Sequence, residues 1–293
     1  MWGMQLQAAL EAFQVQLAAD GRSEHTRLQY RRHVTGLITW LERTGHPTET
    51  LAITPTTVAG FFASDAARMS ARGGAKKATS ANAQRTSLRC FFRWVHESAL
   101  APTNAARLLK RARCAPPPPK ALHADEVGRL RKALADAAGR EAERDRMLIE
   151  FLLGTGVRLG SAIALDVEDL DYEHGEISVR RAKNDYPVSV VMSKAVAKAL
   201  RRFVGKRDSG PLFLAHGRRI SVRHAQRRIS KWLCAAQIAG RSGHSFRHTF
   251  ACDVYAKTGD LQLTQQALTH RAIASTVIYA KLDRARLRAA IGA

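Results

Sequence analysis

Four consecutive prolines, Pro116 to Pro119, constrain this chain more than any other stretch of it. Proline has no backbone N–H and its ring fixes φ, so a run of four fits neither a helix interior nor a sheet interior; it favours an extended, semi-rigid strut. A chain of 293 residues interrupted in this way is expected to fold as two bodies. The boundaries read from the sequence are a first domain over 1–113, a linker over 114–120 and a second domain over 121–293.

The first body reads as all-helical. Leu6, Leu10, Phe13 and Leu17 recur at helical spacing over 4–18, and Gly21 ends the segment. Ser23 can cap a second helix whose apolar face is Tyr30, Val34, Leu37, Ile38 and Leu41, with Arg27, Arg31 and Arg32 opposite. Thr54-Pro55 opens a third helix with Val58, Phe61 and Phe62 inward. A basic loop, Ser70 to Lys77, brings Lys76 and Lys77. A fourth helix runs from about Ser80 with a core stripe of Leu88, Phe91, Phe92 and Val95 and with Arg85, Arg89 and Arg93 beside it. A short last helix is expected from Pro102 toward Arg113.

The second body mixes periods. A buried helix is expected over 142–153, broken by Gly154 and Gly156. From 176 to 191 the pattern changes to alternation, with Ile177 and Val179, then a turn at Asn184-Asp185, then Val188 and Val190, which is a β-hairpin with Lys183 beside its turn. Helices return at about 193–205, 222–238, 244–257, 261–268, 275–281 and 283–291. The fold class is therefore mainly α, with a small antiparallel β-sheet in the second domain.

Charge points to the partner. There are 47 Lys+Arg against 25 Asp+Glu, a net charge of +22. Such a surplus is the electrostatic footprint of a nucleic-acid binder. Arg31, Arg32, Lys76, Lys77, Arg85, Arg89, Arg223 and Arg227 are the candidate DNA contacts; Arg218 and Arg219 belong to the same basic cluster as Arg223. Four scattered cysteines without a C-x-x-C pair argue against a zinc site or a disulfide framework. The chain shows no leader pattern and no apolar run of the roughly 18 residues that a membrane span needs, so a cytoplasmic protein with no membrane partner is expected.

The chemistry sits in Gly243-His-Ser-Phe-Arg-His-Thr-Phe-Ala251. On a helix, His244 neighbours Arg247 and His248. A guanidinium between two imidazoles suits a phosphate, because its planar fork of donors matches phosphate oxygens. Cutting and rejoining DNA without a metal needs cations on the non-bridging oxygens, a proton for the leaving 5′-oxygen and a nucleophile that keeps the strand covalently. Arg158 and Arg247 can clamp the oxygens, and His244 and His270 can add donors. Lys183 can protonate the leaving oxygen, with Lys194 and Arg181 as substitutes. Tyr279 can attack; its phenol ordinarily titrates near pH ~10, so it needs these cations. His248 is read as orienting Arg247 or a backbone group. His244 and His248 could instead hold a metal, but the protease pattern of that spacing has a glutamate where this chain has Ser245. No metal or other cofactor is expected.

These residues resemble the boxes of the tyrosine recombinases of the phage-integrase family. Thr155-Gly-Val-Arg-Leu159 is similar to the first arginine box, His244-Ser-Phe-Arg-His248 to the H-x-x-R-H box and Leu268-Thr-His270 to the third box, with Tyr279 nine residues further on. Lys183 stands where the family's hairpin lysine stands. Ser23, Thr26, Tyr30, Trp40-Leu41 and Phe91-Phe92-Arg93-Trp94 resemble the family's helical core-binding domain, so the resemblance covers nearly the whole chain and is greatest to Xer-type recombinases and short integrases. Two departures stand out: Ser161 replaces a usually acidic residue, and Thr269 a usual glycine.

The resemblance implies a two-domain clamp around double-stranded DNA carrying a specific recombination site. It implies a 3′-phosphotyrosyl intermediate on Tyr279, a Holliday junction and a tetramer on DNA, either homomeric or built with a second recombinase. The tail helix over 283–291 would dock on a neighbouring subunit or on its own domain. Other readings stay open: a catalytically silent accessory factor, suggested by Ser161; a type IB topoisomerase; and a metal-dependent nuclease, against which stands the lack of a carboxylate cluster.

Overall fold

The computed structural model describes residues 3–70, 73–114, 119–179, 188–268 and 276. The chain divides into two compact units, Met1–Ala115 and Pro116–Ala293. Both are mainly helical. The only sheets among the described residues are small and antiparallel and lie in the second unit.

The first unit contains α1 (Leu6–Ala19), α2 (Glu24–Arg43), α3 (Pro55–Ala63), the short α4 (Asp65–Arg68) and α5 (Ala78–Glu97). Caps set the starts. Ser23 accepts the Thr26 N–H, and Thr54 forms a reciprocal capping box with Thr57 just ahead of Pro55. The apolar stripes meet at Phe13, Leu37, Leu41, Phe61, Phe91 and Phe92, all buried, with Phe13 edge-on to Phe91 at 5.4 Å. The aromatics of α5 are core. No helix forms from Pro102: Arg107 N–H donates to Asn104 O and Leu109 N–H to Ala106 O, three residues back, giving turns. The Asn104 side chain accepts the Ala106 N–H at 2.9 Å and competes with helix formation there.

The second unit is built around α7 (Arg140–Thr155), packed by α6 (Ala124–Ala135), α9 (Lys194–Val204), α10 (Val222–Ala235) and α11 (Gly243–Thr258). α12 (Leu261–Ala267) packs on α11. Gly154 does not break α7. A Cβ there would lie 2.5 Å from Val196 Cγ2, so the glycine lets α9 approach. α7 ends at Gly156, whose left-handed backbone (φ 62°) caps it. A six-residue helix, α8 (Leu159–Ala164), follows, and the sequence pattern gave no sign of it.

The expected hairpin strands are present as β2 (Glu176–Val179) and β3 (Val188–Val191), in register Val179↔Val188. Ile177 and Val179 point into the core and Glu176 and Ser178 to solvent, as the alternation requires. A two-residue β1 (Leu170–Asp171) extends the sheet in the order β1-β2-β3. A second hairpin joins β4 (Leu214–Ala215) to β5 (Arg218–Arg219) through His216 and Gly217, both with positive φ. Two such residues make the tight turn that matches strand twist. The turn of the first hairpin, with Asn184-Asp185, and the expected helices over 275–281 and 283–291 lie outside the described residues.

One feature of this core had no sequence signal. Asp145, 1% exposed, accepts from Arg144 (2.9 and 2.6 Å), Arg228 (2.6 Å) and the Trp232 indole (2.8 Å). Arg144 also donates to Leu214 O at 3.3 Å, tying β4 to α7. A buried carboxylate with this many charge-assisted donors is fully satisfied.

Candidate active site

α11 carries the histidine–arginine box. Ser242 caps it, accepting from Ser245 N–H while Ser245 Oγ accepts the Ser242 N–H at 3.1 Å. On the inner side of the helix, Arg247 is buried at 4% exposure. Its guanidinium donates to the carbonyls of Gly156 and Leu268. The fork therefore links the end of α7 to the end of α12. Further along the same helix, Thr249 Oγ1 accepts the Leu122 N–H at 2.8 Å, fixing the start of the unit against α11.

Two residues after Gly156 comes Arg158, the exposed N-cap of α8. Arg158 and Arg247 line one narrow cleft with Ser161, Val179, Val188 and Leu268. The cleft's sheet-side wall is Val179 of β2 with Val188 and Val190 of β3, and Lys183 falls between these strands in the sequence.

His244 and His248 stand four residues apart on α11 with ring centroids 4.6 Å apart, edge-on. Burial pulls the His244 imidazole below its ordinary range, and the positive fields of Arg247 and Arg158 pull it further. Burial, His244 and Arg247 lower His248 to about 4. Both imidazoles are thus neutral near pH 7, and each can donate through only one ring nitrogen. Among the described residues, the structure brings Arg158, Ser161, His244, Arg247 and His248 together. Lys183, His270 and Tyr279 lie outside the described residues.

The basic faces divide. Arg32, Lys77, Arg89, Arg223 and Arg227 are exposed. Arg31 is paired with Glu11 through two bonds of 2.9 and 2.7 Å. Lys76 turns back onto Gln84 Oε1 (3.2 Å), and burial and Arg32 hold its ammonium below the usual lysine range. Arg85 lies over the Phe62 ring at 5.1 Å. Arg219 departs most from a phosphate-tracking role: it binds the Ile163 and Leu165 carbonyls and Asp166. Sequence reasoning missed these partners because most of them lie 20 or more residues away. It also missed the two carbonyls that hold Arg247, since a backbone acceptor has no letter in the sequence.

Known proteins resemble this chain over nearly its whole length. The model of the phage integrase family covers residues 120–286, and that of the phage integrase N-terminal SAM-like domain covers 10–98. The tyrosine recombinase XerC of Mycobacterium tuberculosis is 32% identical over 97% of this chain and 97% of its own length. XerC of Serratia marcescens is 29% identical over 95% and 91%. In fold, the chain is similar to a lambda integrase tetramer bound to a Holliday junction (TM-score 0.71, 18% identity, 92% of this chain and 78% of that one). It is also similar to XerH recombinase in a post-cleavage complex with its difH substrate (TM-score 0.72, 19% identity, 90% and 78%). Two domain models in the expected order and a full-length relative above 30% identity place the chain: it belongs to the phage integrase family and is a tyrosine recombinase of the Xer type.

Proposed function

We propose that this chain performs site-specific recombination by cutting and rejoining double-stranded DNA through a covalent 3′-phosphotyrosyl link to Tyr279. The observation that carries this reading is the cleft shared by Arg158 and Arg247. Two guanidiniums on one cleft can neutralise both non-bridging oxygens as the phosphorus becomes five-coordinate. His244, kept neutral by burial and then by its two arginine neighbours, adds a hydrogen bond without adding charge. His270 follows Leu268, the residue whose carbonyl Arg247 holds, by two positions in the sequence, and in this reading it donates to the same oxygens. Lys183 falls in the sequence between β2 and β3, and in this reading it supplies the proton to the leaving 5′-oxygen.

The phenol oxygen of Tyr279 forms the P–O bond as the 5′-O–P bond breaks. The freed hydroxyl of a second duplex later attacks the phosphotyrosine and releases the phenol. The phosphodiester count is unchanged, so no nucleotide is consumed. Two duplexes exchanging strands through a Holliday junction call for four copies of the chain on DNA, all alike or shared with a second recombinase. The exposed cations Arg32, Lys77, Arg89, Arg223 and Arg227 supply the DNA affinity.

The test uses duplexes taken from the DNA flanking the coding sequence, each nicked beside a candidate scissile phosphate so that the released fragment diffuses away. A covalent adduct is expected that persists in EDTA and disappears in Tyr279→Phe. No adduct at saturating DNA would leave a silent DNA-binding factor in which Ser161 has replaced the acid. An adduct with relaxation of supercoils but no exchange between two sites would make it a topoisomerase.

A further inference from the structure

α8 is a short lever with an arginine at each end. Its N-cap is Arg158. With six residues it is about 9 Å long, too short to hold its shape alone, and its last carbonyls have no acceptor role inside the helix. Backbone N–H groups reach two carbonyls at this end, Leu165 donating to Ala162 O at 3.4 Å and Leu212 to Leu165 O at 3.0 Å, and Arg219 adds the side-chain donors. Its Nη1 donates to Ile163 O and to Leu165 O, both at 2.8 Å, and its Nη2 pairs with Asp166 just beyond the helix. A guanidinium at this end also complements the helix dipole.

Arg219 is itself held firmly. It sits on β5 opposite Leu214, in the hairpin closed by His216 and Gly217. The Leu214 carbonyl accepts from Arg144, which is bound to buried Asp145. The next residue, Ile220, donates to Phe213 O at 3.1 Å, and both side chains are buried. A continuous set of bonds thus runs from the core ion pair, through the hairpin and Arg219, to the helix that presents Arg158.

We infer that Arg219 is a positioning residue for strand cleavage: by fixing the C-terminal end of α8 it aims Arg158 into the cleft. The inference rests on the proposed role of Arg158 at the scissile phosphate. Arg219 does not touch DNA in this role, so its removal acts on rate and not on affinity. Its effect must also shrink when the charge that Arg158 neutralises is taken away.

The experiment measures adduct formation on nicked duplexes carrying either a normal scissile phosphate or a methylphosphonate, which lacks one charged oxygen. Wild type is compared with Arg219→Lys, which keeps a cation but cannot span two carbonyls and a carboxylate with one planar fork. On the phosphate, Arg219→Lys should cleave about tenfold more slowly while binding DNA within about threefold of wild type. On the methylphosphonate, the gap should close to less than about twofold. Equal defects on both substrates, or a loss of affinity matching the loss of rate, would show a merely structural role and overturn the inference. So would wild-type cleavage by the variant. Should Arg219→Lys fail to fold, Asp166→Asn leaves both carbonyl bonds in place and must show the same substrate-selective defect, in smaller degree. A wild-type protein that forms no adduct would instead remove the cleavage reading, and this inference with it.

Discussion

The Arg247 guanidinium donates to the carbonyl of Gly156, the glycine that ends α7 two residues before Arg158. One backbone oxygen thus joins the two arginine boxes, and the spacing of Arg158 from Arg247 depends on the left-handed turn at Gly156.

Gly156→Ala is expected to damage both fold and site. A Cβ there would lie 2.3 Å from Phe250 Cδ1 in a backbone with φ +62°. The left-handed backbone costs a non-glycine residue about 1 kcal/mol or more, and the clash adds to it. Chemical denaturation should show a loss of at least about 2 kcal/mol. Adduct formation should fall further than the folded fraction accounts for. An alanine variant with wild-type stability would mean that Phe250 swings away freely.

Arg158→Ala and Arg247→Ala should separate. Each removes a cation from the cleft, so each should slow adduct formation about 100-fold or more. Filter binding should show DNA affinity within about threefold of wild type for Arg158→Ala, because other cations supply it. Arg158 is exposed, and its loss should leave the melting temperature nearly unchanged. Arg247→Ala strands two buried carbonyls and should cost about 2 kcal/mol or more. Equal melting temperatures for the two variants would contradict the bonding described.

Acid should weaken both units. In the first, His33 is buried against Ser87 Oγ at 2.8 Å; burial, then Arg32 and Lys76, lower its pKa from 6.5 to about 4. In the second, His248 is lowered likewise to about 4. The unfolded chain then binds more protons than the folded one between pH 6.5 and 4. Stability is complete above that window and is lost as pH falls through it, by no more than about 1.4 kcal/mol per pH unit for each group. Melting curves across the window should show the slope, and His33→Gln should flatten it for the first unit. An unchanged slope in that variant would move the effect to other groups.

Asp145→Asn should be among the most damaging single changes in the second unit. It leaves the Arg144 and Arg228 guanidiniums facing a neutral amide, with Arg144 4% exposed. Removing one partner from a buried ion pair costs roughly 3–5 kcal/mol. Denaturant unfolding monitored at Trp232, which donates to Asp145, reads the change directly. A loss under about 1 kcal/mol would show that water enters and solvates the arginines.

What the sequence made legible follows from local rules. The stripes of α2 and α5, the Ser23 and Thr54 caps and the alternation of Ile177 and Val179 each depend on neighbours a few residues away, and each appears as expected. So does the proximity of His244, Arg247 and His248. The failures have a common cause. α8 is too short and too small in its side chains, with Gly160 and Ser161, to show a period. β4 and β5 have two residues each. The Asp145–Arg228 bond spans 83 positions, and the Arg31–Glu11 bond joins separate helices. Arg31 and Arg219 read as cations facing DNA because nothing local reveals their partners. The turns after Pro102 show the converse error, a helix-like composition that Asn104 diverts.

The carbonyl bonds of Arg247 bear on how this protein would decay if it ceased to recombine. A lineage that stopped cutting DNA would still need that guanidinium to knit α7 to the end of α12, so its survival is weak testimony to enzymatic competence. Arg158 faces solvent, and among the described residues it has no such second duty. Mutational drift should therefore erase Arg158 well before Arg247, and a relative lacking only the former is the one to suspect of having gone quiet.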